Sequence, residues 1–410
     1  MTSPALLQSK AADRADQLAQ LLAVPSAEEP WMAQSLAKGT AGIALAHIER
    51  AHTHAGTWRR AHTWIKHATA TDISAADSTG LFLGAPAIAF MLTAATCSDG
   101  RYTHALTTLD RHIHQLAHRR VRTAMARISR GDLPTFGEYD LFYGLTGIGV
   151  YLLHSSPHSS ALERLLAYIV ALTRPLRVDG GELPGWWVHH DPHGRTSTGH
   201  HPGGHANLGV AHGITGPLLL LSQAARHHVT VDGHCEAVAT ILAWLDSWWQ
   251  DSATGPWWPE HISRNDLHTG RSSQRGSARP SWCYGTPGIA RAGQLAAIAT
   301  ADPTRQRFYE DAFYGCLTDP AQTSKLGSAG LCHGWAGVYQ SAWRAARDAT
   351  TPRFTAILPR LADTLVEHAV PADGADPSLL DGSAGTILAL HTASLDAPPI
   401  SGWDACLLID

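Results

Sequence analysis

Two cysteines and a histidine in the second half of the chain could bind a transition metal. Cys283 lies two residues before Gly285, and Cys332 and His333 come directly before Gly334. Two thiolates and one imidazole would give zinc three protein ligands and leave its fourth position open, as in catalytic rather than structural zinc sites. The wide spacing between Cys283 and Cys332 is unlike the short pairing of a zinc finger. The three residues therefore predict a metal site only if the fold brings them together; otherwise they are two buried cysteines and a satisfied histidine.

The composition of this ligand set indicates a class of reaction. Zinc bound by two thiolates and a neutral histidine has a formal charge near zero, and a substrate thiolate would bring it to about −1. Such a site lowers the pKa of a bound thiol and leaves the sulfur electron-rich. It is less suited to polarising a carbonyl group for hydrolysis. The set therefore favours thiol alkylation or thiol addition.

Four further residues suit a thiol addition. Addition to an electron-poor alkene produces an enolate that must be protonated, and His212 is a candidate general acid because histidine titrates near neutrality. Asp140 could orient His212 or accept the proton of the incoming thiol. Arg279 and Tyr284 could stabilise the charge of the enolate. The alternatives are that Arg279 pairs with a carboxylate and that Tyr284 is a packing residue.

An internal repeat explains how residues so far apart could meet. The element Gly-x-x-Gly followed by an apolar stretch recurs along the chain, and a degenerate copy at residues 84–87 brings the number to seven. The other copies are residues 39–42, 144–147, 213–216, 285–288, 334–337 and 382–385. The candidate residues precede the third to sixth copies closely. If the copies are equivalent in three dimensions, these side chains converge at one end of the fold.

The apolar pattern around these turns is helical. Apolar residues recur at helical spacing after each copy and again in a second segment between copies. Glycines at a helix start allow close approach and positive φ. Seven helix pairs with glycine turns at one end predict an all-α fold, a closed α/α toroid whose inner helices line the barrel and whose turns share one mouth. The alternative is an open helical solenoid.

We expect this toroid to form a single domain over residues 1–410. The longest irregular stretch is predicted at residues 173–206, and a loop of that length in a compact domain is usually functional or mobile. It contains a His-rich stretch, residues 189–205. That stretch could contact a peptide, bind a second metal ion or simply be solvated, and we expect the last.

The bulk composition excludes several classes of protein. Hydrophobic residues make up 44% of the 410 residues and charged residues 16%, which is enough apolar material for a large core and too little charge for a disordered chain. A net charge of −4 gives no indication of a nucleic-acid partner. No apolar run approaches the ~20 residues of a membrane span, and the N-terminus lacks the pattern of a secretory signal. We therefore expect a cytoplasmic protein. Six cysteines in 410 residues are not a disulfide framework, which favours free thiols or metal ligands.

Three segments carry a resemblance to a known family. The sequences SWCYGTPG at residues 281–288, CHG at residues 332–334 and NLGVAHGITGP at residues 207–217 resemble the lanthionine synthetase C-like family. The length and the order of these motifs are similar to those of class I lanthipeptide cyclases. All seven repeats take part, so the resemblance covers nearly the whole chain.

The resemblance implies one zinc ion per chain at one mouth of an α/α toroid. It implies zinc ligation by Cys283, Cys332 and His333. It also assigns acid–base roles to His212 and Asp140 and active-site positions to Arg279 and Tyr284. In such a cyclase the cysteine thiols of a precursor peptide add to dehydroalanine or dehydrobutyrine and close lanthionine or methyllanthionine rings, a step in antibiotic biosynthesis. The implied partners are the dehydrated precursor peptide, a dehydratase and an exporter, often in a membrane-associated assembly.

Three rival functions stay open at this point. The first is addition of glutathione or another small thiol to dehydrated residues of proteins, for which the zinc ligands would be the same. The second is a non-catalytic peptide-binding toroid stabilised by zinc. The third is a prenyltransferase or terpene cyclase on a related α/α barrel, but the chain has no Asp-Asp-x-x-Asp run to bind a metal–diphosphate.

Overall fold

The computed structural model describes residues 3–22, 25, 29–96, 100–178, 180–191 and 201–410. The helices of the first half are α1 (Pro4–Leu21), α2 (Pro30–Ala33), α3 (Thr40–His52), α4 (Trp58–Ala68), α5 (Ala85–Ala94), α6 (Thr103–Arg130), α7 (Phe136–Tyr139), α8 (Leu145–Ser155) and α9 (Ser160–Leu172). Those of the second half are α10 (Thr215–Arg226), α11 (His234–Trp248), α12 (Arg264–Thr269), α13 (Thr286–Ala299), α14 (Pro303–Thr318), α15 (Pro320–Thr323), α16 (Trp335–Asp348), α17 (Arg353–His368) and α18 (Ser383–Leu395). A 3₁₀ helix spans Trp403–Leu407.

Short strands form two antiparallel pairs. Strand β1 (Leu176–Val178) pairs with β2 (Gly181–Leu183), and β3 (His205–Asn207) pairs with β4 (His261–Ser263). The region that the sequence predicts as one irregular loop, residues 173–206, therefore contains the β1–β2 hairpin and the start of β3 in its described part. Residues 179 and 192–200 of that region lie outside the described residues. In the part of the chain that the structure describes, we found no helix with the length and apolar character needed to cross a bilayer.

Seven helices begin at the seven glycine turns and are almost wholly buried. We call them the turn helices: α3, α5, α8, α10, α13, α16 and α18. In α3 and α13, for example, twelve consecutive residues from the first position are buried. Helices that are buried on nearly all sides belong to the interior, although α3 and α13 also bury polar side chains. The predicted helices after each glycine copy are thus present.

The helices that pack against the turn helices are amphipathic. In α4 the buried residues are Ala61, Trp64, Ile65 and Ala68, which recur at the i, i+3, i+4, i+7 spacing of one helix face. Several of these helices begin at a side-chain cap: the hydroxyl of Thr57 accepts from a backbone N–H at the start of α4, and that of Ser159 does so for α9.

Turn helices and partner helices pack in pairs within two compact units. One unit comprises Met1–Ile113 and Ser324–Asp410, and there α3 packs on α4, α16 on α17 and the N-terminal α1 on α18. The other comprises His114–Thr323, and there α8 packs on α9, α10 on α11 and α13 on α14. The expected alternation of two kinds of helix is therefore present in each unit. The expectation of one domain over the whole chain stays a prediction.

In five of the seven turns the second glycine is required by close backbone contact. At Gly337, a Cβ atom would lie 1.8 Å from the carbonyl oxygen of Leu331, well inside van der Waals contact. The first glycine of a turn is required for another reason at Gly285. Its φ is +98°, a conformation that side-chain-bearing residues rarely adopt. Most of the other turns begin with extended φ, so close approach is the more general cause of the motif.

A buried carboxylate joins the C-terminal 3₁₀ helix to α16 within the first unit. Asp404 is fully buried, and its Oδ2 and Oδ1 accept from Nε and Nη2 of Arg344 at 2.7 Å each. Nε2 of Gln340 also donates to Oδ2 at 2.7 Å. A bidentate Arg–carboxylate pair with this little exposure depends on both partners being present.

Replacing Asp404 by alanine is expected to lower the free energy of unfolding by about 3–5 kcal/mol, because Arg344 would lose its hydrogen-bonded carboxylate in a buried setting. Urea unfolding followed by circular dichroism measures this change. The matched control is Asp132→Ala, which removes the exposed carboxylate paired with Arg130 at 2.7 Å and should cost less than about 1 kcal/mol. Equal losses in the two variants would contradict the prediction.

Candidate functional site

Five of the seven residues predicted to carry the chemistry occupy two positions in the glycine turns. Cys283 and Cys332 each lie two residues before the first glycine of a turn, and His212, Tyr284 and His333 each lie one residue before it. The side chains at the second of these positions are half-buried in all three turns, although the residues around them are mostly buried. The turns therefore present their reactive side chains from one repeated position.

Backbone hydrogen bonds set neighbouring turns side by side in the second unit. The N–H of Leu141 donates to the carbonyl oxygen of Ala211 at 3.2 Å, and the N–H of Val210 donates to that of Cys283 at 2.9 Å. The turns before α8, α10 and α13 are thus in direct contact. This contact brings the turn that carries His212 between those that carry Asp140 and Cys283.

The same arrangement recurs in the first unit. The N–H of Cys332 donates to the carbonyl oxygen of Leu380 at 2.8 Å, and the N–H of Leu380 donates to that of Ala37 at 3.2 Å. The turns before α16, α18 and α3 therefore also lie next to each other.

Asp140 and His212 form a buried carboxylate–imidazole pair. Asp140 is fully buried, and its Oδ1 accepts from the N–H groups of Tyr143 at 2.6 Å and Gly144 at 2.8 Å. Its Oδ2 lies 2.6 Å from Nδ1 of His212. A carboxylate can only accept here, so Nδ1 of His212 carries the hydrogen of this contact and Nε2 is the other ring nitrogen. The carboxylate of Asp140 therefore fixes the orientation of the His212 ring.

Aromatic side chains hold the imidazole plane. The ring centroid of His212 lies 5.8 Å from that of Phe136, 5.1 Å from Phe142 and 5.8 Å from Tyr143, which stacks on it at an interplanar angle of 12°. Phe136 is buried, whereas Tyr143 is 53% exposed. His212 therefore packs against one buried aromatic ring and one exposed one.

Tyr284 and Arg279 flank Cys283 in sequence but differ in their surroundings. Tyr284 is half-buried, and its hydroxyl oxygen accepts from Nδ2 of Asn207 at 2.8 Å. Burial raises the pKa of the Tyr284 phenol well above its usual value, so the hydroxyl is protonated over the neutral range. Arg279 is exposed, and its guanidinium is accessible to a bound substrate.

The structure brings together the three predicted metal ligands. The ligand atoms of Cys283, Cys332 and His333 all lie within 4.8 Å of one another, and this is the one such group of His, Cys, Asp and Glu side chains among the described residues. Cys283 is buried, while Cys332 and His333 are partly accessible. Two sulfur atoms and one imidazole nitrogen at this spacing fit a tetrahedral zinc ion with one position open to a substrate.

Asp381 lies beside this group and was not among the sequence predictions. Its Oδ1 is 3.5 Å from Nδ1 of His333. It occupies the position directly before Gly382 that His333 occupies before Gly334, so the repeat register could have identified it. Carboxylates commonly orient metal-binding histidines in this way.

The His-rich stretch differs from the expected solvated loop at its C-terminal end, where His205 begins β3. His205 is fully buried in β3, and its ring centroid lies 4.9 Å from that of His201 and 5.0 Å from that of His261. Burial, together with the neighbouring His201, lowers the pKa of His205 to about 3. Its Nε2 lies 3.2 Å from the carbonyl oxygen of His190, to which it donates. The described part of the stretch is therefore mixed: His205 is packed, whereas His189, Pro202 and Gly203 are exposed.

Comparison with solved structures identifies the fold. The structure is similar to that of nisin cyclase, with a TM-score of 0.79, 19% sequence identity and coverage of 92% of this chain and 93% of that one. The predicted all-α fold, an α/α toroid, is thus confirmed. Among curated proteins, the chain is 23% identical over 318 residues to the nisin biosynthesis protein NisC of Lactococcus lactis subsp. lactis, which covers 76% of this chain and 72% of that protein.

The family assignment rests on the whole repeat region. The family model described as lanthionine synthetase C-like protein matches residues 30–408, which include all seven glycine turns, the Asp140–His212 pair and the Cys283, Cys332 and His333 group. A match of this extent includes the turns that carry the site as well as the helices that hold them, and the chain belongs to the lanthionine synthetase C-like family.

Proposed function

We propose that this chain is a lanthipeptide cyclase that uses zinc to add cysteine thiols of a precursor peptide to dehydroalanine or dehydrobutyrine. The observation that carries the proposal is the group of Cys283, Cys332 and His333, whose ligand atoms lie within 4.8 Å of one another. Family membership and the likeness to nisin cyclase support the same activity. The products would be lanthionine and methyllanthionine thioether rings.

The ligand set suits thiol activation. Zinc held by Cys283, Cys332 and His333, one ion per chain, would lower the pKa of a substrate thiol while leaving its sulfur nucleophilic. The protein ligands already neutralise the charge of the ion, so the open position favours a soft anionic sulfur over a carbonyl oxygen. Asp381 would orient the His333 ring from outside the ligand group.

His212 and Asp140 would handle the proton. When the thiolate sulfur attacks the β-carbon of the alkene, a carbon–sulfur bond forms and the electron pair moves onto the α-carbon and its carbonyl oxygen. Protonated His212 would deliver the Nε2 proton to the α-carbon, and the thiol proton replaces it over the cycle. Asp140 would stabilise the protonated imidazole by accepting from Nδ1. No atom is lost, so the peptide keeps its mass.

Tyr284 and Arg279 would stabilise the enolate oxygen. The phenol keeps its proton because burial raises its pKa, so it can donate a hydrogen bond to a developing negative charge. The exposed guanidinium of Arg279 carries a permanent positive charge and could reach a bound peptide. Both groups would act on the transition state rather than on the thiol.

The proposed setting follows from the proposed substrate. A dehydratase must first convert serine or threonine of the precursor into the alkene, and an exporter would remove the finished peptide. We propose that the chain works in the cytoplasm, in contact with the dehydratase and the exporter. It would have no role in nucleic-acid binding. Association with the membrane would then come through the partners.

A synthetic peptide with dehydroalanine a few residues before a single cysteine tests the activity. Incubation with the zinc-loaded chain should leave the peptide mass unchanged and remove its reaction with iodoacetamide, since the thiol becomes a thioether. Mass spectrometry measures both properties, and His212→Asn serves as the inactive control. A thiol that stays reactive at the rate seen without enzyme would contradict the proposal.

The small-thiol alternative predicts a different product in the same assay. With glutathione present and a peptide that has dehydroalanine but no cysteine, that activity would raise the peptide mass by the mass of glutathione. A cyclase should instead act on the cysteine-containing peptide and leave the other unchanged. A zinc-stabilised binding protein would change neither peptide.

A further inference from the structure

The side chain of Asn207 is fully buried and fully hydrogen-bonded next to the candidate site. Its Oδ1 accepts from the N–H of Gly209 at 2.8 Å, and its Nδ2 donates to the hydroxyl oxygen of Tyr284 at 2.8 Å. The second hydrogen of Nδ2 faces Nε2 of His261 at 3.4 Å. A backbone N–H can only donate, so the Gly209 contact fixes which side of the amide is oxygen.

This orientation decides the direction of the Tyr284 hydroxyl. The phenol oxygen accepts from Asn207, so its own hydrogen must point elsewhere. None of the described residues accepts that hydrogen from Tyr284. An accepted hydrogen bond also strengthens the phenol as a donor, because chains of hydrogen bonds polarise one another. Tyr284 is therefore left with a proton available to a ligand.

The backbone around the two residues keeps this contact rigid. Asn207 ends strand β3, opposite His261 of β4, and its carbonyl oxygen accepts from the N–H of Ile214 at 3.0 Å. The Tyr284 ring lies against Gly209, where a Cβ atom would come within 2.7 Å of ring atom Cε1. A glycine here lets the ring lie directly on the backbone. The Asn207 side chain and the Tyr284 ring therefore both contact Gly209, in the segment that leads to α10.

We propose that Asn207 is a positioning residue that makes the Tyr284 hydroxyl a hydrogen-bond donor toward the substrate. The Nδ2–H group of Asn207 would donate to the phenol oxygen, so the phenol hydrogen would point away from Asn207. The catalytic consequence rests on the proposed function, in which Tyr284 stabilises the enolate oxygen. The direction of the hydroxyl itself is a property of the protein without substrate.

Aspartate at this position reverses the hydrogen bond with little change in shape. In Asn207→Asp one carboxylate oxygen can still accept from Gly209, but the other replaces Nδ2 with an acceptor. The Tyr284 hydroxyl would then donate to that oxygen and be withdrawn from the substrate. Asn265→Asp is the matched control, because it makes the same chemical change at an exposed position of α12.

The first measurement does not depend on activity. The chain has nine tyrosines, which can be labelled with ¹³C at Cζ. The resonance that disappears in Tyr284→Phe is then assigned to Tyr284. The shielding of Cζ responds to the hydrogen bonds of the phenol oxygen. We expect Asn207→Asp to move this resonance and Asn265→Asp to leave it in place. An unmoved resonance in a folded Asn207→Asp chain would overturn the proposal.

The second measurement is the rate of ring closure in a double-mutant cycle. Asn207→Asp should slow closure about tenfold to a hundredfold, the effect of one hydrogen bond to a developing charge, with zinc content unchanged. In a Tyr284→Phe background the same change should have almost no further effect. Equal effects in both backgrounds would overturn the proposal and indicate a structural role. A wild-type chain that closes no ring, with the resonance shifted as expected, would refute the proposed function and leave the hydroxyl direction established.

Discussion

Alanine in place of Cys332 is expected to remove zinc and thioether formation together. The wild-type chain should contain about one zinc ion, as for a site with three protein ligands and one open position. Loss of an outer partner of a metal ligand typically weakens binding 10–100-fold, and loss of a thiolate ligand should weaken it far more. Elemental analysis after dialysis measures the metal, and the iodoacetamide assay measures ring closure.

The chain offers a matched control for this experiment. Cys235 is a free, exposed cysteine in α11, outside every glycine turn. Cys235→Ala should keep both the zinc and the activity, which separates loss of a ligand from loss of a thiol. A wild-type chain that holds no zinc after reconstitution would refute thiol activation by a metal. Full zinc content in Cys332→Ala would remove Cys332 from the ligand set.

Asparagine in place of His212 should slow ring closure about 10²–10⁴-fold while leaving zinc bound, because the general acid is lost. Asp140→Asn should have a comparable effect for a different reason. Its Oδ1 would still accept from Tyr143 and Gly144, so its amide nitrogen would face Nδ1 of His212. The amide N–H and the Nδ1–H of a protonated His212 would then be two donors facing each other. This repulsion would disfavour the imidazolium.

These two variants distinguish an enzyme from a binding protein. A zinc-stabilised peptide-binding toroid needs no proton donor. If that were the function, His212→Asn should bind peptide as tightly as the wild type. Single-turnover rates and zinc content, measured on the same preparations, separate the two functions. Ring closure at more than a tenth of the wild-type rate in His212→Asn would exclude His212 as the general acid.

Local pattern was enough to predict much of the fold. Gly-x-x-Gly recurs because the second glycine lies against a backbone carbonyl, as at Gly337, and the apolar run after it is a helix buried on all sides. Both properties depend on residues close together in sequence. The same register placed Cys283 and Cys332 at one repeated position, so the candidate metal ligands could be named before any distance was known. Their role as zinc ligands, like the roles of the four catalytic candidates, stays a prediction.

Other features depend on contacts that local pattern does not contain. Asp140 lies four residues before Gly144, outside the two positions that five of the other candidates share, and its pairing with His212 becomes evident only once the two turns touch. The His-rich stretch was expected to be solvated, but strand β3 pairs with β4 more than fifty residues away and buries His205. The residue type of Asn207 does not by itself indicate a role, because the role depends on which groups its amide contacts.

The sequence by itself therefore determined the repeat, the helices and the positions from which reactive side chains project. The tertiary structure decided which of those side chains meet, in what orientation, and which neighbours fix them. The physical reason is range: helix periodicity and glycine turns are set by residues within one or two turns of each other. Hydrogen bonds such as those from Asp140 to His212 and from Asn207 to Tyr284 join residues more than seventy positions apart, and they exist only when the helices have packed.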